Sequence, residues 1–203
     1  MENVIAYVDG FNLYFGLKEK GWSRLYWLNI QLLVRNLLKH NQQLITTKYF
    51  TARVIGSPDK EKRQTTFIEA LETLSYFEIF YGQYQLNPRY CQNCGFQDMV
   101  PKEKMTDVQI AVEMLSDAFD DKFDVAMLIS ADSDLTPLVR SIKQMFPEKR
   151  IVVAFPPARF SIALTTVADA YLYITRSKLV RSLFPDEVSR ADGFILRCPP
   201  HWK

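Results

Sequence analysis

The chain has 203 residues, and its 25 lysines and arginines stand against 23 aspartates and glutamates, a net charge of +2. That balance argues against a strongly basic nucleic-acid coat or an acidic tail protein, and 48% hydrophobic residues exclude disorder over most of the length. Seven glycines, about half the usual share of roughly 7%, exclude collagen-like and Gly-linker architectures.

No apolar run approaches the roughly 18–20 residues of a membrane span. Residues 4–8 are too short an apolar run for a signal-peptide core, so a soluble, cytoplasmic protein is expected. Residues 3–9 read as a buried strand that ends on the carboxylate of Asp9. A helix over 11–20 stops at Gly21, and Asn29 is placed to cap a second helix over 30–40, whose apolar positions follow the 3.6 period. A strand over 44–55, a helix from Pro58 to about Leu74 and a strand over 76–81 come next.

Residues 83–105 break the rhythm with Pro88, two cysteines, Gly95 and Pro101, and read as an insertion. Thr106 is placed to cap a helix over 107–119. Residues 123–130 are near-continuously apolar, as in a parallel sheet covered on both faces. A helix over 132–145, a strand over 150–155, a helix over 161–167, a short strand over 171–174 and a helix over 177–184 complete the series. Repeated strand–helix order predicts an α/β domain over 1–184 with a mainly parallel sheet and flanking helices, followed by a tail over 185–203.

Two predicted strand ends carry the same chemistry: Asp9-Gly-Phe-Asn12 after the first, and Ser130-Ala-Asp132-Ser-Asp134 after the fourth. Ligands of open α/β sheets bind outside the carboxyl ends of strands, where the strand order reverses. Asp107, opening a helix, is able to reach the same edge. Converging carboxylates repel one another unless a hard divalent cation such as Mg²⁺ or Mn²⁺ lies between them, and such a site suits phosphodiester chemistry. The same acids singly would serve as helix caps or turn formers. Neither GxxxxGK[ST] nor GxGxxG is present at these motifs.

Taken together, the segment from Tyr7 to Leu17 (YVDGFNLYFGL), Lys104 followed by Asp107-Val-Gln-Ile-Ala-Val112, and the segment from Leu128 to Leu135 (LISADSDL) resemble the NYN domain. Within it they are most similar to the LabA-like branch of the PIN-like nuclease superfamily, over about residues 3–174. The resemblance implies a three-layer PIN-like (Rossmannoid) fold and a Mg²⁺-dependent ribonuclease site. It makes Asp9, Asp107, Asp132 and Asp134 the metal-binding acids and Asn12 their polar partner. Ala131 stands where the family usually has Gly, and Met105-Thr106 where it often has Gly-Val. Neither change removes a carboxylate. A non-catalytic RNA-binding or regulatory module retaining the fold is the alternative. A metal-dependent phosphatase would need a closed pocket in place of a groove.

Cys91-x-x-Cys94-Gly95 has the tight turn of a zinc knuckle, and Cys198-Pro-Pro-His201 supplies a second pair of ligands. Joined, they would form a structural Cys₃His zinc site stapling the tail to the insertion; unliganded thiols and a redox pair are the other readings. Candidate contacts to single-stranded RNA are Tyr14 and Lys18 beside the first motif, Lys60, Lys62 and Arg63 at a helix start, and Arg159 after the strand over 150–155. Phe15 and the aromatics Phe155, Phe160, Tyr171 and Tyr173 read equally or better as core. The near-neutral average hides a division. Residues 107–134 hold eight acids and one lysine, whereas 135–203 hold 11 basic groups and five acids. Asp117, Asp120, Asp121 and Asp124 are expected to be solvated surface.

Overall fold

The computed structural model describes residues 1–203 except Gly56 and Cys91, with the backbone alone described at 84–87 and 98–103. The chain opens with β1 (Glu2–Asp9), α1 (Gly10–Glu19), α2 (Ile30–Leu37), β2 (Gln42–Thr51), α3 (Pro58–Glu72) and β3 (Phe77–Tyr81). Two strands, β4 (Gln83–Tyr90) and β5 (Gln97–Lys104), then precede α4 (Thr106–Phe119). The second half runs through β6 (Val125–Ile129), α5 (Thr136–Met145), β7 (Arg150–Phe155), α6 (Ile162–Val167), β8 (Ala170–Tyr173) and α7 (Arg176–Val180). It ends with β9 (Glu187–Ser189) and β10 (Ile195–Arg197).

Six strands form one sheet in the order β3-β2-β1-β6-β7-β8, and every neighbouring pair is parallel. The order reverses between β1 and β6, which is the crevice where such sheets bind ligands. Helices cover both faces, as the alternation of β1 requires. Val4, Ala6 and Val8 pack with residues of α1, α2, α3 and α7. Ile5 and Tyr7 point the other way, into a core built by Ile110 and Met114 of α4, Val139 and Ile142 of α5 and Leu164 of α6. This is the three-layer α/β arrangement expected of a PIN-like chain.

Several boundaries differ from the sequence expectation for local reasons. β2 ends at Thr51 because Gln64 of α3 takes over the backbone: its Nε2 donates to the Ala52 carbonyl and its Oε1 accepts from the Val54 N–H, both at 2.8 Å. The insertion is an antiparallel hairpin, Gln83 pairing with Lys104 and Tyr90 with Gln97. Pro88 is tolerated because each strand of a two-stranded ribbon has an unpaired edge. The helix expected over 132–145 is divided into a 3₁₀ turn, Ser133–Leu135, and α5.

The tail is also ordered. β9 and β10 form a hairpin against α3, and the turn Pro200–Trp202 packs on Ser23–Leu25. Trp202 meets the rings of Tyr26, Trp27 and Phe67 at 5.7, 6.4 and 6.0 Å. Leu196 and Cys198 enter the core on the same side.

Asp117 corrects the expectation of a solvated acidic stretch. Only 1% exposed, its Oδ2 lies 2.6 Å from Lys48 Nζ and accepts from the Tyr7 hydroxyl at 2.7 Å. Lys48 also reaches Glu113 at 2.7 Å. Burial alone would push the Lys48 ammonium down, but its bonds to Asp117 and Glu113 outweigh this and hold it above the usual lysine range. Burial would likewise raise Asp117, yet Lys48, Tyr7 and Lys122 together hold it below the usual carboxylate range. The cluster joins α4 to β1 and β2. Asp121 bonds Lys149 at 2.6 Å and Asp124 accepts from the Asn3 N–H at 2.7 Å, so these two acids also have partners.

Removing one member of a buried pair strands the other, which typically costs about 3–5 kcal/mol. Lys48→Met is therefore expected to lower the unfolding free energy by about that much in urea titrations. The triple variant Lys48→Met, Asp117→Leu, Tyr7→Phe is expected to recover most of the loss, since no buried polar group is then left alone.

Candidate functional site: a carboxylate pocket at the sheet crossover

Register brings the first and fourth strand ends together. Val8 pairs with Ile129, so the next residues, Asp9 and Ser130, stand side by side on the face that also carries Tyr7 and Leu128. The Ser130 hydroxyl donates to Asp9 Oδ2 at 2.9 Å, and the Asn12 N–H donates to Asp9 Oδ1 at 2.9 Å, capping α1. Asn12 Oδ1 in turn accepts from the Ala131 N–H at 3.1 Å, and the Asp132 N–H donates to Ser130 Oγ at 3.0 Å. The two motifs are thus laced to each other, the Asn12 side chain holding the second motif's backbone while its N–H holds the Asp9 carboxylate.

Close approach explains the glycines of the first motif. A Cβ on Gly10 would lie 2.6 Å from the Tyr49 ring and 2.7 Å from the Phe50 carbonyl oxygen. On Gly16 it would lie 2.4 Å from the Pro157 carbonyl oxygen, so α1 rests directly on the loop after β7. That loop turns at Pro156–Arg159, where the Arg159 N–H donates to the Pro156 carbonyl at 3.1 Å. Pro157 holds its second position and Ala158, with φ 58°, its third, the pattern of a type II turn. The turn presents Arg159 to the site.

Asp9, Asn12, Asp107, Asp132, Phe11, Phe15, Thr106 and Arg159 line one pocket of about 200 Å³. Three of the four expected acids therefore meet. Asp134 is exposed and outside this lining; its N–H donates to Asp132 Oδ1 at 2.9 Å and orients that carboxylate. Asp9 is 4% exposed. Burial pushes its carboxyl up to about 6, and the charges of Asp107 and Asp132 add to the rise against the donors Asn12 and Ser130. Among the described residues no three acidic, histidine or cysteine side chains already stand in coordinating geometry. As hard oxygen donors around one opening, the three carboxylates nevertheless fit a divalent cation in kind.

The remaining candidates separate. Arg159 is half-buried, its guanidinium 3.3 Å from Glu19, and its Nε has no hydrogen-bond partner among the described residues. Lys18 Nζ lies 5.8 Å from the centre of the Phe15 ring, and Tyr14 is exposed between Phe15 and Tyr26. Lys60 and Lys62 are exposed and Arg63 half-buried at the start of α3, away from the pocket lining. Cys94 is exposed in the hairpin turn, Cys198 is buried, His201 is exposed, and Cys91 lies outside the described residues.

Sequence reasoning missed Ser130, whose role follows only from strand register. Phe15, which reads equally as core in the sequence, is 43% exposed and lines the pocket. Phe160, Tyr171 and Tyr173, expected in the core, are about half exposed. Thr106 is the first residue of α4; the cap position is Met105, at φ 82°. Ala131 is not among the described residues with positive φ, so alanine costs nothing there.

An all-parallel six-stranded sheet with carboxylates gathered at its crossover defines a Rossmannoid acid-site domain. The chain belongs to the NYN domain family, whose pattern matches residues 3–175. NYN domains are nuclease-like and RNA-associated. The chain is 26% identical over 186 residues to 6-hydroxy-3-succinoylpyridine 3-monooxygenase HspA of Pseudomonas putida, covering 74% of this chain and 58% of that protein. It thus spans less than two thirds of that relative's length. A crystal structure of a Vibrio parahaemolyticus protein of unknown function superposes with a TM-score of 0.60 at 22% identity, over 90% of this chain and 96% of that one. Among the described residues no helix is long and apolar enough to cross a membrane.

Two predictions follow from the backbone and the buried acid. Met105 holds a left-handed conformation that costs a non-glycine residue about 1–2 kcal/mol. Allowing for glycine's greater unfolded-state entropy, Met105→Gly is expected to stabilise the chain by up to about 1 kcal/mol in chemical denaturation. For Asp9 the folded state favours the protonated form. Its contribution is complete below the ordinary carboxylate value and is lost as the pH rises through about 6. In chelator, Asp9→Asn is expected to match wild type near pH 4 and exceed it by on the order of 2–3 kcal/mol above pH 7. Unfolding curves across that range check the sign.

Proposed function

We propose that this chain is a metal-dependent ribonuclease of the LabA-like, PIN-like type that hydrolyses RNA phosphodiester bonds with Mg²⁺ or Mn²⁺. The observation that carries the reading is the meeting of Asp9, Asp107 and Asp132 with Arg159 around one opening at the sheet crossover. Asp9, Asp107 and Asp132 would hold the cation, with Asp134 supporting through its N–H to Asp132. Bound there, a divalent ion neutralises charge on the phosphodiester and makes water a stronger nucleophile near neutral pH.

The chain's own residues supply the rest. Ser130 and Asn12 keep Asp9 fixed by two hydrogen bonds, so its carboxylate does not rotate away when substrate enters. Asp107 or Asp132 accepts the proton that the attacking water loses. Arg159, which lines the opening, pairs with the phosphate, and its contact to Glu19 keeps the side chain extended over α1. Phe15 offers an exposed ring face for a base, and Lys18 beside it meets the backbone phosphate.

Labelled single-stranded RNA incubated with Mn²⁺ or Mg²⁺ tests the proposal. Wild type is expected to cleave, and Asp9→Asn and Asp132→Asn each to be slower by about 100-fold or more. Mn²⁺ is expected to raise the melting temperature of wild type and not of Asp9→Asn. Equal cleavage by all three proteins would mean a contaminant. Binding without cleavage by wild type would favour the RNA-binding module.

A further inference from the structure

We infer that Phe160, Tyr171 and Tyr173 form a stacking shelf for the unpaired bases of the RNA, beside the carboxylate pocket; this rests on the RNA reading above. The placement follows from register. Leu128 pairs with Val153 and Phe155 with Tyr173, so Asp9, Ser130, Phe155 and Tyr173 fall in one row across β1, β6, β7 and β8. Three interstrand steps separate its ends, about 14 Å. Arg159, which lines the pocket, is followed directly by Phe160.

The rings themselves are built for contact. Phe155 is fully buried and serves as the floor, with Phe160, Tyr171 and Tyr173 at 4.9, 5.9 and 5.9 Å from its centre. Phe160 and Tyr173 lie nearly parallel, 26° apart at 6.0 Å. Above that floor the three rings remain 49, 51 and 56% exposed. Three adjoining half-exposed aromatics at a sheet edge form the kind of apolar patch that marks a binding surface.

Charge selects the occupant. From 150 to 181 the chain holds five basic residues and a single acid, Asp169, which is paired with Lys143; Arg150, at the far end of β7, pairs with Glu2 and Arg159 with Glu19, leaving Arg176, Lys178 and Arg181 in excess. A second copy of the same edge would bring like charge against like, whereas a polyanion with exposed π faces satisfies both features. Duplex RNA offers phosphate without free base faces, so the shelf takes the single strand.

The test is RNA binding in chelator, where cleavage does not interfere, using a single-stranded oligonucleotide carrying 2-aminopurine and a duplex of the same sequence. Wild type is expected to prefer the single strand and to quench the fluorescent base. Tyr173→Leu and Phe160→Leu, which keep apolar volume without a ring, are expected to weaken binding by about tenfold and lose the quench. Tyr173→Trp is expected to retain both. Unchanged single-strand binding in the leucine variants, no single-strand binding by wild type, or a change confined to self-association in sedimentation would overturn the shelf. Failure of the nuclease reading looks different: wild type then binds and quenches but does not cleave with Mn²⁺.

Discussion

A carboxylate withdrawn from water needs donors, and the arrangement around Asp9 is organised by that need. Asp9 sits at the end of the strand between β2 and β6, almost wholly buried, and its two oxygens are met from two different segments. The Asn12 N–H comes from the helix that Asp9 itself caps, and the Ser130 hydroxyl comes from the neighbouring strand end. The Ser130 bond joins the motifs that flank the crossover, and the Ala131 N–H to Asn12 Oδ1 bond joins them a second time. Everything else at the site is placed relative to them: Ala131 through Asn12, Asp132 through Ser130, and Asp134 through Asp132.

Two donors do not cancel the cost of holding a charge next to Asp107 and Asp132 in a buried place, and the raised Asp9 carboxyl shows the remainder. Structures usually relieve such repulsion by moving the acids apart. Here α4 is tied to the sheet, because Asp117 two to three turns along the same helix is bonded to Lys48 and Tyr7. Such pairs contribute little net stability when replaced whole, but removing one partner is strongly destabilising. Left-handed backbone at Met105, immediately before α4, and at Ala158, immediately before Arg159, adjoins the pocket lining; Tyr76 and Asp121, outside that lining, share the conformation.

Parallel register also sets the direction in which substrate contacts extend. Strand ends at one edge present side chains of like parity to one face, so a row that begins with an acid at β1 ends with a tyrosine at β8. The basic loop after β7 sits between them, with α1 held against it at the Gly16 contact.

Strand and helix order of the central sheet, the acids at two strand ends and the Asn29 cap were legible from the sequence, because each depends on local spacing, propensity and hydrogen bonding within a few residues, whereas the hairpins of the insertion and the tail were not. The family resemblance singled out Asp9, Asp107, Asp132 and Asp134, and the fold brings the first three of them around one opening. Local spacing could not tell that Asp117 is buried while Asp120 is not, since both lie on one acidic stretch and only the approach of Lys48 from β2 separates them. Nor could it tell that Tyr173 faces solvent, because an aromatic on a short apolar strand reads as core until the strand proves to be the sheet's edge. Composition and pattern determined which groups were available. Tertiary structure decided which of them share a pocket, because long-range register and burial, not sequence neighbours, set the distance between charges and the water around them.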